Sequence, residues 1–169
     1  MPTGILFFCC SIALEKNGEL IIGVVYDPML EELFYAEKGK GAYLNKSKIS
    51  SSSVSELADS LVATGFPYDI RENSDWNINH LKNFIINSQA VRRDGSAALD
   101  LCYVAMGRFD GYWESKLNPW DMAAGALIIE EAGGKLSLYN GNRFNLYSKE
   151  IIASNGRIHR EMVEMLHAV

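Results

Sequence analysis

Two carboxylates, Glu114 and Asp121, have the spacing and setting that point to chemistry in this chain. Glu114 ends the apolar run FDGYWE, which reads as a strand. Asp121 opens PWDMAAGALIIEEAGG, which reads as a helix with glycines past its end. An acid at a strand terminus beside an acid at the next helix start puts both on one rim of a sheet, and open α/β sheets bind ligands beyond the carboxyl ends of their strands. Such a pair serves either a divalent metal or a hydroxyl-rich ligand. Each acid also has a plainer reading. Asp121 follows Pro119 in a first helical turn, where the dipole and the free N–H groups favour a carboxylate. Glu114 alone is a solvated strand-end acid. The small residues after Asp121 (Ala123, Ala124, Gly125, Ala126) argue for more than a surface cap, because they let backbone or a ligand come close.

A third loop, RRDGSAALDL, places Gly95 and Ser96 at the start of another helix, where free N–H groups can donate to an anion or a sugar oxygen. Ser is also a common N-cap, so this signal is weak. Arg92 and Arg93 are surface charge or anion ligands, with at least one expected at the surface. Asp94 and Asp100 are further acids for a metal cluster, although Asp100 falls on the helix-interior pattern and is expected to make a local hydrogen bond. There is no phosphate-binding P-loop and no Gly-x-Ser-x-Gly elbow. His80, His159 and His167 stand away from the acid-bearing loops, suggest no triad, and read as lone histidines on surface helices. Glu130 and Glu131 sit near a helix C-terminus, where negative charge is disfavoured, and one of them reads as a solvated face residue.

The elements that must position these groups follow a change of rhythm. Residues 5 to 44 alternate and turn like antiparallel sheet, with Asn17-Gly18 as a hairpin signal. The opening ILFFCCSIAL reads as a buried strand: it lacks the basic flank and cleavage site of a signal peptide and is too short to span a membrane. Serine-rich residues 47–59 read as a polar linker with a short helix at its end. Beyond it, strands alternate with helices, which implies an α/β layer on a largely parallel sheet. The expected organisation is thus 1–46 as antiparallel sheet, 47–59 as linker and 60–169 as an α/β domain. Cys9, Cys10 and Cys102 form no framework and no zinc pattern, and read as buried thiols of a reducing, cytoplasmic compartment. With a formal charge of −5, the chain is not expected to bind nucleic acid directly, and no membrane partner is expected.

Pro119-Trp120-Asp121 followed by MAAGALIIEEAGG resembles the C-terminal signature of the inositol monophosphatase family. FFCCSIALEKNGELIIGVVYDP, GKGAYLN, VATGFPYD, GSAALDLCYVAMGRFDGYWE and IIASN resemble that family in the same order, so the likeness covers nearly the whole chain. It implies an α/β fold of layers: part of an antiparallel sheet, then a mostly parallel sheet. It also implies hydrolysis of a phosphomonoester, such as an inositol or sugar phosphate, with magnesium (about two or three ions per complete site) that holds phosphate and activates water. Lithium inhibition goes with the resemblance. By the same token Asp121 matches a metal ligand, Glu114 matches the acid that binds substrate hydroxyls, and Gly95, Ser96 and Ala97 match the loop lining the sugar side.

The chain departs from the pattern in one respect. The family carries a glutamate pair and then Asp-Pro-Ile/Leu-Asp-Gly-Thr upstream of the segment matching residues 5 to 14, and that ordered pair of motifs does not occur here. The resemblance assigns to it all but one of the protein's metal ligands. The expectation is therefore a chain inactive alone: a fragment, one product of a split gene, or a paralogue kept as a subunit or protein-binding module. A homo-oligomer or a complementary N-terminal chain is the partner expected. A site rebuilt by Asp94, Asp110 and Glu114 with Asp121 is the remaining alternative.

Overall fold

The computed structural model describes residues 6–72 and 74–167, so Ile5, the first residue of the expected opening strand ILFFCCSIAL, lies outside the described residues. Five strands form the first sheet: β1 (Cys10–Lys16), β2 (Glu19–Asp27), β3 (Glu32–Glu37), β4 (Ala42–Leu44) and β5 (Ser47–Ile49). They pair antiparallel in chain order. The β1–β2 turn is fixed by Asn17 and Gly18, both at positive φ (55° and 79°), the conformation that a tight hairpin requires.

The second sheet contains β6 (Leu61–Thr64), β7 (Ala90–Arg92), β8 (Gly111–Ser115), β9 (Lys135–Ser137) and β10 (Glu150–Ser154), in the order β7-β6-β8-β10-β9. The α/β class expected from the sequence holds, but this sheet is mixed rather than mostly parallel. β6 runs parallel to β7 and β8, whereas β10 is antiparallel to both β8 and β9. The crossover from β8 to β9 leaves a gap one strand wide, and β10 fills it in the reverse direction. Four helices complete the fold: α1 (Ser74–Asn87), α2 (Ala97–Ala105), α3 (Pro119–Glu131) and α4 (His159–His167). None of the described helices is long and apolar enough to cross a membrane.

Helices α2 and α3 lie between the two sheets, and α1 and α4 cover the far side of the second. Residues Met122 to Ile129 of α3 are all buried, as expected of a helix apolar all round. The sheet comes very close there: a Cβ at Gly23 would lie 2.7 Å from the Ala124 carbonyl oxygen. Glu131, at the other end of α3, accepts hydrogen bonds from the N–H groups of Gly39 and Gly41, both at 2.7 Å. Glu130 is the exposed member of the acidic pair, whereas Glu131 is the grip of the β3–β4 turn on the helix.

Three further expectations are corrected. The opening strand is not buried: β1 begins at Cys10 and all its side chains except the half-buried Ser11 are exposed, β1 pairing only with β2 among the described residues. Of the thiols only Cys102 is buried, while Cys9 is half-buried and Cys10 exposed, since adjacent residues at a strand start face opposite ways. Residues 47–59 hold β5 and a single 3-10 turn, Leu57–Asp59, in place of a short helix. Hydrogen bonds from the Ser51 N–H to the Ala132 carbonyl (3.2 Å) and from Asn155 Nδ2 to Ser52 Oγ (2.9 Å) tie this serine-rich stretch to the body.

Candidate active site

Strand β8 and helix α3 bring Glu114 and Asp121 to the same cleft, of about 790 Å³. Gly95, Ser96 and Ala97 line it as well, as do Gly65, Arg93 and Lys116. The loops that supply these residues follow β6, β7 and β8, which run in one direction, so their ends meet on one rim.

Glu114 is held from two sides. Tyr112, two residues earlier on the same strand face, donates its hydroxyl to Glu114 Oε2. Gly65 leaves the room, since a Cβ there would overlap the carboxylate. Burial raises the Glu114 pKa above its ordinary value and the nearby Asp121 charge adds to the rise, while the Tyr112 hydroxyl and the Arg93 charge oppose it.

Asp121 reconciles its two readings. Pro119 is the first residue of α3, and Asp121 Oδ2 reaches back to accept the Asn118 N–H at 2.9 Å, the acid's half of a capping box. Among the described residues Oδ1 accepts no hydrogen bond, so one oxygen secures the helix while the other is free for a ligand. Lys116, between the two acids, has φ of 61° and forms an ion pair with Asp69 at the cleft wall. Such left-handed backbone is uncommon outside glycine, and it turns the chain sharply from strand to helix.

Ser96 sits at the N-cap of α2, but its hydroxyl does not cap the helix. Its Oγ instead lies 3.5 Å from Cys9 Sγ, so the loop is tied to the segment leading into β1. Arg93 is exposed and its guanidinium lies 4.7 Å from the centre of the Phe66 ring, above the cleft wall.

The other acids do not join this group. Asp110 is turned into the body, accepting the Ser52 hydroxyl at 2.5 Å and the Leu61 N–H at 2.7 Å. Asp94 is exposed and lies outside the cleft lining. Asp100 is buried, and the local hydrogen bond expected of it is missing at Oδ1, which has no partner. Burial pushes its pKa up to about 8, with the charges of Asp94 and Glu114 adding to the rise. The histidines also differ from expectation. His80 is buried beside the Trp76 and Tyr139 rings. His159 is buried between the hydroxyls of Ser154 and Ser137, each 2.9 Å from a ring nitrogen, and burial lowers its pKa to about 4. His167 alone is exposed. The apolar undersides of α1 and α4 turn the other two inward.

No three His, Cys, Asp or Glu side chains cluster among the described residues. Magnesium demands six oxygens in near-ideal octahedral geometry, and a single free carboxylate oxygen on Asp121 does not supply a site. The described residues therefore do not fit the ion by themselves.

The family model for the inositol monophosphatase family matches residues 3–169. An inositol-1-monophosphatase from Synechocystis is 46% identical over 160 residues, which are 95% of this chain and 56% of that protein. The Nus factor SuhB of Escherichia coli K12 is 42% identical over 156 residues, 92% of this chain and 58% of that protein. The solved inositol monophosphatase of Anabaena (Nostoc) superposes with a TM-score of 0.93 at 46% identity, over 96% of this chain and 65% of that one. The chain thus spans less than two thirds of the length of these relatives.

Proposed function

Because this chain belongs to the inositol monophosphatase family, we propose that it forms one side of a magnesium-dependent phosphomonoesterase site that is inactive until further ligands join it. The observation that carries this reading is the shared cleft: Glu114 and Asp121 point into the same space, with the Gly95–Ala97 loop on its wall. In this reading Glu114 accepts hydrogen bonds from the hydroxyls of an inositol or sugar phosphate. Its carboxylate is pre-set by Tyr112, so little side-chain freedom is lost on binding. The first-turn N–H groups of α2 face the polyol, and Asp121 Oδ1 offers an oxygen to the metal.

Several features support a family phosphatase over an unrelated hydrolase. Among the described residues the cleft holds no nucleophile paired with a base, and His159 is spent on hydrogen bonds with Ser154 and Ser137. A phosphomonoester with a polyol leaving group fits a cleft with acids at one wall and Arg93 at another.

The test is phosphate release from inositol 1-phosphate, with magnesium and with a chelator in its place. The chain alone is expected to release none above the chelator control. Mixed with the part of the Synechocystis inositol-1-monophosphatase that it does not match, it is expected to release phosphate in a magnesium-dependent way that Asp121→Asn abolishes. A mixture that forms a complex yet stays silent sinks the catalytic reading and leaves a non-catalytic subunit.

A further inference from the structure

We propose that Lys116 selects the leaving group of this cleft: its ammonium, paired with Asp69 at the cleft wall, exchanges that carboxylate for one carried on the polyol, so that phosphates of sugar acids are favoured over phosphates of neutral sugars and inositol. The proposal rests on the reading of Glu114 as the hydroxyl-binding acid and adds the substrate class of that same cleft.

Lys116 occupies a backbone that suits glycine. Its φ is 61°, and among the described non-glycine residues at positive φ it alone lines the cleft. The turn is fixed from both ends. Ser115 closes the β8–β10 ladder opposite Glu150, and the Leu117 N–H donates to the Lys149 carbonyl at 3.0 Å. Leu117 is buried, and Pro119 starts α3 two residues later. Glycine adopts left-handed backbone at little cost, whereas a lysine there holds strain that the surrounding structure must enforce, and such strain gathers at ligand sites. The turn also sets where the long side chain goes. Lys116 and Glu114, two residues apart, both line the cleft, and the ammonium reaches Asp69 on the loop after β6.

That ion pair is suited to exchange. Its side chains are 49% and 40% exposed, so a ligand reaches both, and ion pairs of this exposure hold weakly. The hydrogen bond from Lys116 lowers the Asp69 pKa, so Asp69 stays charged and the group given up is a carboxylate. A single ammonium with three rotatable donors takes a carboxylate of the substrate in the same way. Arg93, the other cation of the lining, lies over the Phe66 ring, and its charge acts on Glu114. Glu114 and Asp121 repel an anion from their own wall. A carboxylate on the polyol therefore finds its partner in Lys116, beside the acid that takes the hydroxyls.

The experiment uses two acyclic ligands that differ in one group: sorbitol 6-phosphate ends in a hydroxymethyl where 6-phosphogluconate carries a carboxylate. Affinities for the chain are read by NMR titration of backbone amides at low ionic strength, and the Glu114 carboxyl carbon is followed in the same samples. The chain is expected to bind 6-phosphogluconate at least about threefold more tightly, although its net charge of −5 alone favours the opposite order. Lys116→Gln is expected to abolish the preference and Lys116→Arg to retain it. Asp69→Asn removes the competing carboxylate and is expected to widen the preference at least about twofold. A pair that only braces the two loops would make Lys116→Gln and Asp69→Asn act in the same direction. Lys116→Gly relaxes the left-handed backbone, so it is expected to lose the preference with little change in urea unfolding. Equal affinity for the two ligands, a preference that survives Lys116→Gln or Lys116→Gly, or one that narrows in Asp69→Asn overturns the proposal. A preference without any Glu114 response removes the hydroxyl-binding reading alone. A Glu114 response to both ligands without preference removes the role of Lys116 alone, and no binding of either at millimolar concentration removes both.

Discussion

Replacing Asp100 by Asn should flatten the pH dependence of stability above neutrality. The carboxyl is buried on α2 with Oδ1 unpartnered, and burial first, then the charges of Asp94 and Glu114, lifts its pKa to about 8 from an ordinary value of 3.8. Between those two values the folded chain keeps a proton that the unfolded chain has lost, so stability falls as pH rises through that window. From pH 6.5 to 8 the comparison with Asn isolates the effect: His80 and His159 are both shifted downward and contribute the opposite slope as the unfolded chain's imidazoles titrate, but they do so equally in the two proteins. Over that window the proton linkage of one group moving from 3.8 to about 8 is worth about 1.6 kcal/mol, roughly a 16-fold change in the unfolding constant. With a urea m-value of about 2 kcal/mol/M, the midpoint of the parent chain should fall by about 0.8 M relative to that of the variant. Asn keeps the shape and cannot titrate, so the variant lacks this fall. The assay is urea unfolding followed by circular dichroism at several pH values for both proteins. Equal slopes in the two refute the assignment of a retained proton to Asp100.

Three more outcomes are expected. Gly23→Ala drives a methyl group into the Ala124 backbone, 2.7 Å from its carbonyl oxygen and 3.0 Å from its Cα, and should cost about 1–3 kcal/mol in urea unfolding because both partners are backbone. Glu131→Ala leaves the Gly39 and Gly41 N–H groups without their carboxylate, with a loss of about 1–3 kcal/mol by the same assay. Tyr112→Phe removes the donor that holds the Glu114 carboxylate in its charged form, so the Glu114 pKa should rise further. Carbon-13 NMR of the side-chain carboxyl reads this directly, and an unchanged titration counts against Tyr112 as its holder.

Much of the framework is legible in local signals. Asn17-Gly18 marks its hairpin, and Pro119 and the glycines after Glu131 bracket α3 within a residue or two. Periodicity says that β1 is apolar on one face but not what covers that face, which is why β1 reads as buried and proves open. The place of β10 between β8 and β9 is a non-local choice that no short window encodes. In the cleft, Glu114 and Asp121 are legible because each stands at an element end. Tyr112 was readable too, being two positions before Glu114 on one strand face, whereas Gly65 and Lys116 reach the cleft through turns whose direction only the assembled sheet sets. Asp100 misled because a helix-interior acid ordinarily finds a local donor, and here α2 turns it into a packed layer.

Helix α3 is held on both flanks at once, against the first sheet at Gly23 and against the second through β9 and β10. Neither sheet can peel away without wetting the residues from Met122 to Ile129. The chain should therefore open as one cooperative unit, with the amides of α3 exchanging their hydrogens only through global unfolding. A protease cut within the serine-rich stretch would then yield two pieces that stay together under native conditions. Asp121 lies in the first turn of the element that is the last to yield, so the acid's position is as durable as the fold itself.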